Sequence, residues 1–155
     1  MLASYVVPYV GLNGYKGSNR FLRGYISKDL LAGLYGVEAG QDAVIRHYLY
    51  ERGEQIVHPY NITVTEFTNR ISNLRNSLGM CGNKDEGVFV PPILGAEMRT
   101  CSNVLSADIN SLAYGRTPEE ILRIVYGTGN ERVPGGFFPE GANGTIAMKY
   151  LKHHE

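Results

Sequence analysis

Leu30 to Arg46 reads LLAGLYGVEAGQDAVIR, and two helical lines run through it. Leu30, Leu34, Val37, Val44 and Tyr48 recur every three or four residues, so a helix places them on one face, with Gln41 in the middle of that stripe. Leu31, Tyr35, Glu38, Asp42, Ile45 and Leu49 form a second line beside it. The pattern reads as the inner helix of a bundle, with the leucine line turned to the core and Glu38, Gln41 and Asp42 pointing into a dry interior. Buried polar groups cost free energy unless they are paired or bind something, which makes these three the first candidates for a site. Gly33, Gly36 and Gly40 should each cost about 1 kcal/mol relative to Ala in a helix. With Ala32, Ala39 and Ala43 they make a small-residue surface that suits close approach of a neighbouring helix.

A chain of 155 residues fits one domain with a real core. Hydrophobic residues at 43% and charged residues at 19% are ordinary for a globular protein and argue against general disorder. Fifteen basic and fifteen acidic residues cancel, and no basic run stands out, so nucleic acid is not expected as a partner. Nineteen glycines predict long loops. Cys81 and Cys101 are too few for a disulfide scaffold; they could form one bridge or stay as buried thiols. Residues 1 to 14 are apolar but too short for a membrane span, which needs about 20 apolar residues, and they make a poor signal peptide. A chain that starts inside a core element, with no polar lead-in, reads as a fragment.

Leu2, Tyr5, Val6, Tyr9 and Val10 follow helical spacing, and Pro8 should kink or break that helix. Lys16 to Gly24 reads as a turn-rich connection. Ser27 would cap a second helix running from Lys28 to about Arg52, with Gly53 as its stop. His58 to Asn61 is a break, after which Thr63 and Glu66 have capping-box spacing. They predict a third helix to about Leu78 that buries Phe67, Ile71, Leu74 and Leu78 and leaves Asn69, Arg70, Asn73 and Asn76 solvated. Periodicity fades from Met80 to Ala113; so long an irregular stretch is either functional or packed over the core. Thr117-Pro118-Glu119-Glu120 supplies a cap, a proline and a capping-box glutamate for a helix to about Tyr126, burying Ile121, Leu122 and Val125. Ile146 to Leu151 reads as a last helical turn or an extended piece. Asp42–Arg46 and His47–Glu51 are i,i+4 pairs, the first structural and the second a surface contact. His153-His154 reads as a solvated end rather than a metal site, and the glycine pairs near residues 127 and 135 lack the context of a phosphate loop.

Several blocks agree, in order, with one family. Ala3 to Tyr5, Pro8 to Leu12, Leu31 to Arg46, Lys84 to Gly87, Arg116 to Gly127 and Pro134 to Pro139 resemble the plant desiccation-related proteins with a ferritin-like domain. The resemblance implies an all-α fold: a ferritin-like four-helix bundle followed by an elaborated C-terminal region. It implies further that this chain matches the C-terminal half. Residues 1–53 would be the third and fourth bundle helices and 54–155 a helical and loop region, with the first helix pair and a secretory signal lying outside a truncated member. Half a bundle leaves apolar stripes open unless a second copy, another chain or the C-terminal region covers them. The implied function is a non-catalytic desiccation or stress-response protein, the alternative a di-iron-type oxidase or iron-handling protein. An extracellular or cell-wall location follows from the same likeness, and in that case Asn61 and Asn143 are glycosylation sequons.

Di-iron members of the fold use Glu together with Glu-x-x-His on facing helices. Here Glu38 has the right placing but Gln41 stands where His belongs, and the first helix offers only Tyr5 and Tyr9. Glu38 and Gln41 are therefore weak candidates for iron or manganese, and no cofactor is expected. The preferred reading of the inward polar residues is a hydrogen-bond network left from such a site.

Overall fold

The computed structural model describes residues 1–151. Those residues are all-α apart from one short ribbon. Leu2–Tyr5 forms helix α1, which breaks at Val6 and Val7; Pro8–Ser18 forms α2 with the proline at its first position, where its missing N–H leaves no carbonyl unpaired. The break expected at Pro8 is present. A 3-10 turn at Asn19–Phe21 follows, so the helical chain reaches further into the expected connection than its glycines indicated. Gly24, at φ 88°, then opens α3 (Tyr25–Tyr50) three residues ahead of the expected start. Ile56–Val57 (β1) pairs antiparallel with Ile62–Thr63 (β2) around the His58–Asn61 break.

The two caps read from sequence are built as expected. Thr63 Oγ1 accepts from the Glu66 N–H at 3.1 Å to open α4 (Val64–Gly79). At α5 (Pro118–Tyr126) both bonds of the capping box form: the Glu120 N–H donates to Thr117 Oγ1 at 3.3 Å, and the Thr117 N–H donates to Glu120 Oε2 at 2.6 Å. Thr145–Leu151 is helix α6. The irregular segment after α4 lies over the core. Val88 and Val90 are buried, and the Val90 and Asn103 N–H groups bond the Cys101 and Val88 carbonyls at 3.0 and 2.9 Å. Tyr5, Leu49, Val64 and Val88 are the centre of the hydrophobic cluster, with Ile45, Tyr50, Ile71 and Phe89 against it.

One expected face is reversed and another is met only in part. The leucine line of α3 is outside: Leu30, Val37 and Val44 are 63%, 64% and 66% exposed, and Leu34 and Tyr48 are exposed too. The line that packs inward is the second one, ending in Asp42 and Leu49, joined by Arg46. A Cβ on Gly33, Gly36 or Gly40 would meet nothing within 4 Å, so the close helix approach those residues suit is made by nothing among the described residues. On α4 the buried stripe is Val64, Thr68, Ser72, Arg75 and Gly79, whereas Leu74 is exposed and Phe67, Ile71 and Leu78 are half-buried. The stripe is polar because α4 faces backbone carbonyls and a carboxylate that need donors. On α5 Glu120, Ile124 and Tyr126 are buried, with Ile121, Leu122 and Val125 only partly so.

Gly17 marks where the chain before α5 lies directly on α2. A Cβ there would fall 1.8 Å from the Arg116 carbonyl oxygen, and the Arg116 N–H bonds the Asn13 carbonyl at 2.9 Å. Gly17→Ala is expected to destabilise by roughly 3 kcal/mol in denaturant unfolding, because backbone must shift. Gly36→Ala, with open space around it, should instead stabilise the isolated chain by up to about 1 kcal/mol through helix propensity.

Candidate functional site: a buried arginine clasp

α1 ends where its last carbonyls have no helical partners, and the break before Pro8 leaves them inside the protein. Arg75 of α4 meets them: Nη1 donates to the Tyr5 and Val6 carbonyls, both at 3.1 Å. Its Nη2 donates to Asp85 Oδ1 at 2.9 Å and to Ser72 Oγ at 3.3 Å, and its Nε forms an ion pair with the other carboxylate oxygen. Arg46 of α3, fully buried, closes the opposite side. Its Nε donates to the Asn103 carbonyl at 2.7 Å and its Nη2 to the Glu86 and Gly87 carbonyls at 3.0 and 2.9 Å. Its Nη1 reaches Tyr5 Oη at 3.3 Å. The Tyr5 hydroxyl and Ser72 Oγ share a further bond at 3.1 Å. Both guanidinium carbons lie within 6 Å of the Tyr5 and Tyr9 ring centroids, at 5.0 to 5.8 Å, so two cations rest against two aromatic rings.

Tyr5 and Tyr9 thus point inward as expected, Tyr9 donating to Ser106 Oγ at 2.9 Å, with burial pushing its hydroxyl above the ordinary tyrosine range. Asp42 is buried, and its Oδ1 has no hydrogen-bond partner among the described residues. Burial pushes its carboxyl up to about 6, with Arg46 and Arg75 pulling the other way. The Asp42–Arg46 pairing expected from spacing gives way to the carbonyls of residues 86, 87 and 103, which take the Arg46 donors. Further out, Lys84 Nζ bonds both Glu120 oxygens at 2.7 and 3.0 Å, Arg116 Nη2 donates to Asn76 Oδ1 at 2.7 Å, and Tyr114 Oη donates to Glu86 at 3.1 Å. None of Arg75, Asp85, Arg116 or Lys84 was legible as an interior residue, because their partners lie far away in sequence.

The residues do not fit the two-metal centre of a ferritin-like bundle. Glu38 and Gln41 are not brought together: Glu38 Oε1 accepts the Tyr15 hydroxyl at 2.7 Å against α2, while Gln41 is exposed on the leucine side of α3. Among the described residues no three His, Cys, Asp or Glu side chains are grouped so as to hold a metal. The one concentration of interior carboxylate, Asp42 and Asp85, is faced by two guanidinium cations, which oppose a dication there.

Cys81 and Cys101 are free and exposed, neither bridged nor buried. Asn61 and Asn143 are both exposed. His47 and Glu51 make the expected surface contact, at 3.5 Å. His153-His154 lies outside the described residues. No helix among the described residues is long and apolar enough to cross a membrane.

A short helix pair broken at a proline, α3 against it, and an irregular C-terminal layer make up an all-α chain whose N-terminal third is ferritin-like. The model of the ferritin-like domain matches residues 1–51. The chain is 66% identical over 151 residues to the ferritin-like catalase Nec2 of Nesocodon mauritianus, covering 97% of this chain and 49% of that protein. It is 54% identical over 144 residues to the desiccation-related protein PCC13-62 of Craterostigma plantagineum, covering 93% of this chain and 46% of that one. The chain is similar to both over nearly its whole length and spans about half the length of these curated relatives. No solved structure matches it.

Asp42 gives a pH signature with a definite sign. Its folded pKa, about 6, lies above the ordinary aspartate value of 3.8, so its contribution to stability is present below pH 4 and is lost as pH rises through 6. Asp42→Asn should therefore raise stability at pH 7 by about 2 kcal/mol and have little effect at pH 4, measured by denaturant unfolding at both. Equal effects at the two pH values would contradict this. Arg75→Leu strands Asp85 and two carbonyls, and chemical denaturation should report a loss of about 3 to 5 kcal/mol, part of it recovered in the double variant with Asp85→Ala.

Proposed function

We propose that this chain is a non-catalytic desiccation or stress-response protein of ferritin-like fold, forming the C-terminal half of the family's architecture. The observation that supports this most is the clasp: the interior of α1 to α4 is filled by Arg46 and Arg75 tying helices to backbone, where a metal centre needs converging carboxylates. The polar residues are spent on holding the C-terminal layer against the helices. Glu38 and Gln41, the pair in the expected ligand spacing, face different surroundings. The exposed part of α3 from Leu30 to Val44 carries no charged residue, which is the composition of a face awaiting a partner helix pair, such as the length present in the relatives and absent here supplies. If the chain is exported, Asn61 and Asn143 are accessible for glycosylation.

A second reading is favoured by the name of one relative, a ferritin-like catalase at 66% identity. If a longer form of this chain breaks down peroxide, the iron or manganese ligands come from outside the described residues. Metal analysis of protein purified without added metal, combined with oxygen release from hydrogen peroxide, separates the two readings. The expected result is far less than stoichiometric iron or manganese and peroxide loss at the buffer rate, unchanged by adding either metal. Stoichiometric metal with metal-dependent turnover would establish the second reading.

A further inference from the structure

One face of the molecule remains without a role. Between α4 and the chain from Asn83 to Leu94 runs an open groove of about 890 Å³, within the size range of small-molecule sites. Its helix wall carries Glu66, Asn69, Asn73 and Ser77, spaced by three and four residues, so they form one polar line along α4. Its opposite wall carries Phe89, Pro91 and Leu94. One side of the groove thus offers amides and a hydroxyl, each able both to donate and to accept, and the other offers carbon.

Charge narrows the ligand class. No Lys or Arg lines the groove, which disfavours phosphates, sulfates and uronates. Its carboxylates are already engaged: Asp85 by Arg75, Glu66 by Arg70 Nε at 2.7 Å, and Glu86 by the Tyr114 hydroxyl at 3.1 Å. Among the lining carboxylates only Glu86 lacks a cation partner, and a lone carboxylate makes a weak cation site. Asn76, at the groove floor, spends its side-chain atoms on Asn83, Asp85, Lys84 and Arg116 and keeps the two walls in register. Asn69 also sits tightly, its Oδ1 filling the space a Cβ on Gly87 would take, whereas Asn73 and Ser77 stand exposed on the wall.

A ligand that matches both walls is uncharged, rich in hydroxyls that alternate as donors and acceptors, and apolar across its ring face. We propose that this groove binds a neutral oligosaccharide, with Asn73 and Ser77 on its hydroxyls and Pro91 and Leu94 against its C–H face. The groove shares Asp85 to Gly87 with the arginine clasp, which holds that wall in place, and it lies apart from the leucine side of α3, so it stands whether or not the chain is catalytic.

Titration of the ¹⁵N-labelled full chain with cellotetraose and, separately, xylotetraose tests this by NMR. At least one should produce saturable shifts with a millimolar dissociation constant, confined to residues of α4 and 83–94. Asn73→Ala should weaken that binding by about fivefold, as loss of one hydrogen bond does, and Leu94→Ser should weaken it as well. Thermal melting of both exposed-site variants should match the parent, which separates lost contacts from lost fold. Absence of saturable shifts with either sugar up to about 10 mM, where millimolar binding would be near saturation, would overturn the proposal. So would binding that both variants leave unchanged, or tighter binding of tetragalacturonate, which carries the charge the groove should reject.

Discussion

Everything in this structure depends on how two buried guanidinium groups satisfy backbone that the helices leave unpaired. Breaking a helix at Val6 and Val7 turns the Tyr5 and Val6 carbonyls toward the interior, although Val7 itself is exposed, and a buried carbonyl left unanswered costs several kcal/mol. Arg75 answers it at Tyr5 and Val6, and Arg46 does the same for the Glu86, Gly87 and Asn103 carbonyls of the irregular layer. A guanidinium suits the task because five N–H donors in a fixed fork can hold several chain segments at once. The irregular segment is ordered by this clasp as much as by the burial of Val88 and Val90.

The clasp also explains the two-sidedness of α3. Asp42, Arg46 and Leu49 turn toward α4 and the C-terminal layer, while Leu30, Leu34, Val37 and Val44 turn away from both. Helices of a bundle touch neighbours on more than one side, so α3 having an arginine side and a leucine side is consistent with a position between a covering layer and a second helix pair.

What could be read from the sequence was local. The break at Pro8, the caps at Thr63 and Thr117, the break near Pro59 and the helices around them depend on neighbours within four residues, and all are present; the strand pair that flanks Pro59 was not legible. Which face of a helix is inside depends on what it meets, and here hydrophobicity pointed the wrong way on α3 and only part of the way on α4. The leucine line of α3 is apolar for a surface that the described residues do not cover. The inward stripe of α4 is polar because its partners, Asp85 and the Tyr5 and Val6 carbonyls, are polar; the carbonyls lie about seventy residues away. The candidate pair Glu38 and Gln41 are neighbours on the helix, but what each meets differs: Glu38 is taken by the Tyr15 hydroxyl of α2, and Gln41 lies on the open leucine side. Family resemblance supplied the fold class that periodicity left open, and it could not supply the interior chemistry.

The central claim, that the arginine side of α3 is its core and the leucine side an open joint, is tested most directly by sedimentation of the purified chain across the micromolar range, with hydrophobic-dye binding in parallel. Concentration-dependent self-association or strong dye binding is expected, and Val37→Lys should abolish it without lowering the unfolding midpoint. A monomer at every concentration, unfolding cooperatively and binding no dye, would contradict it.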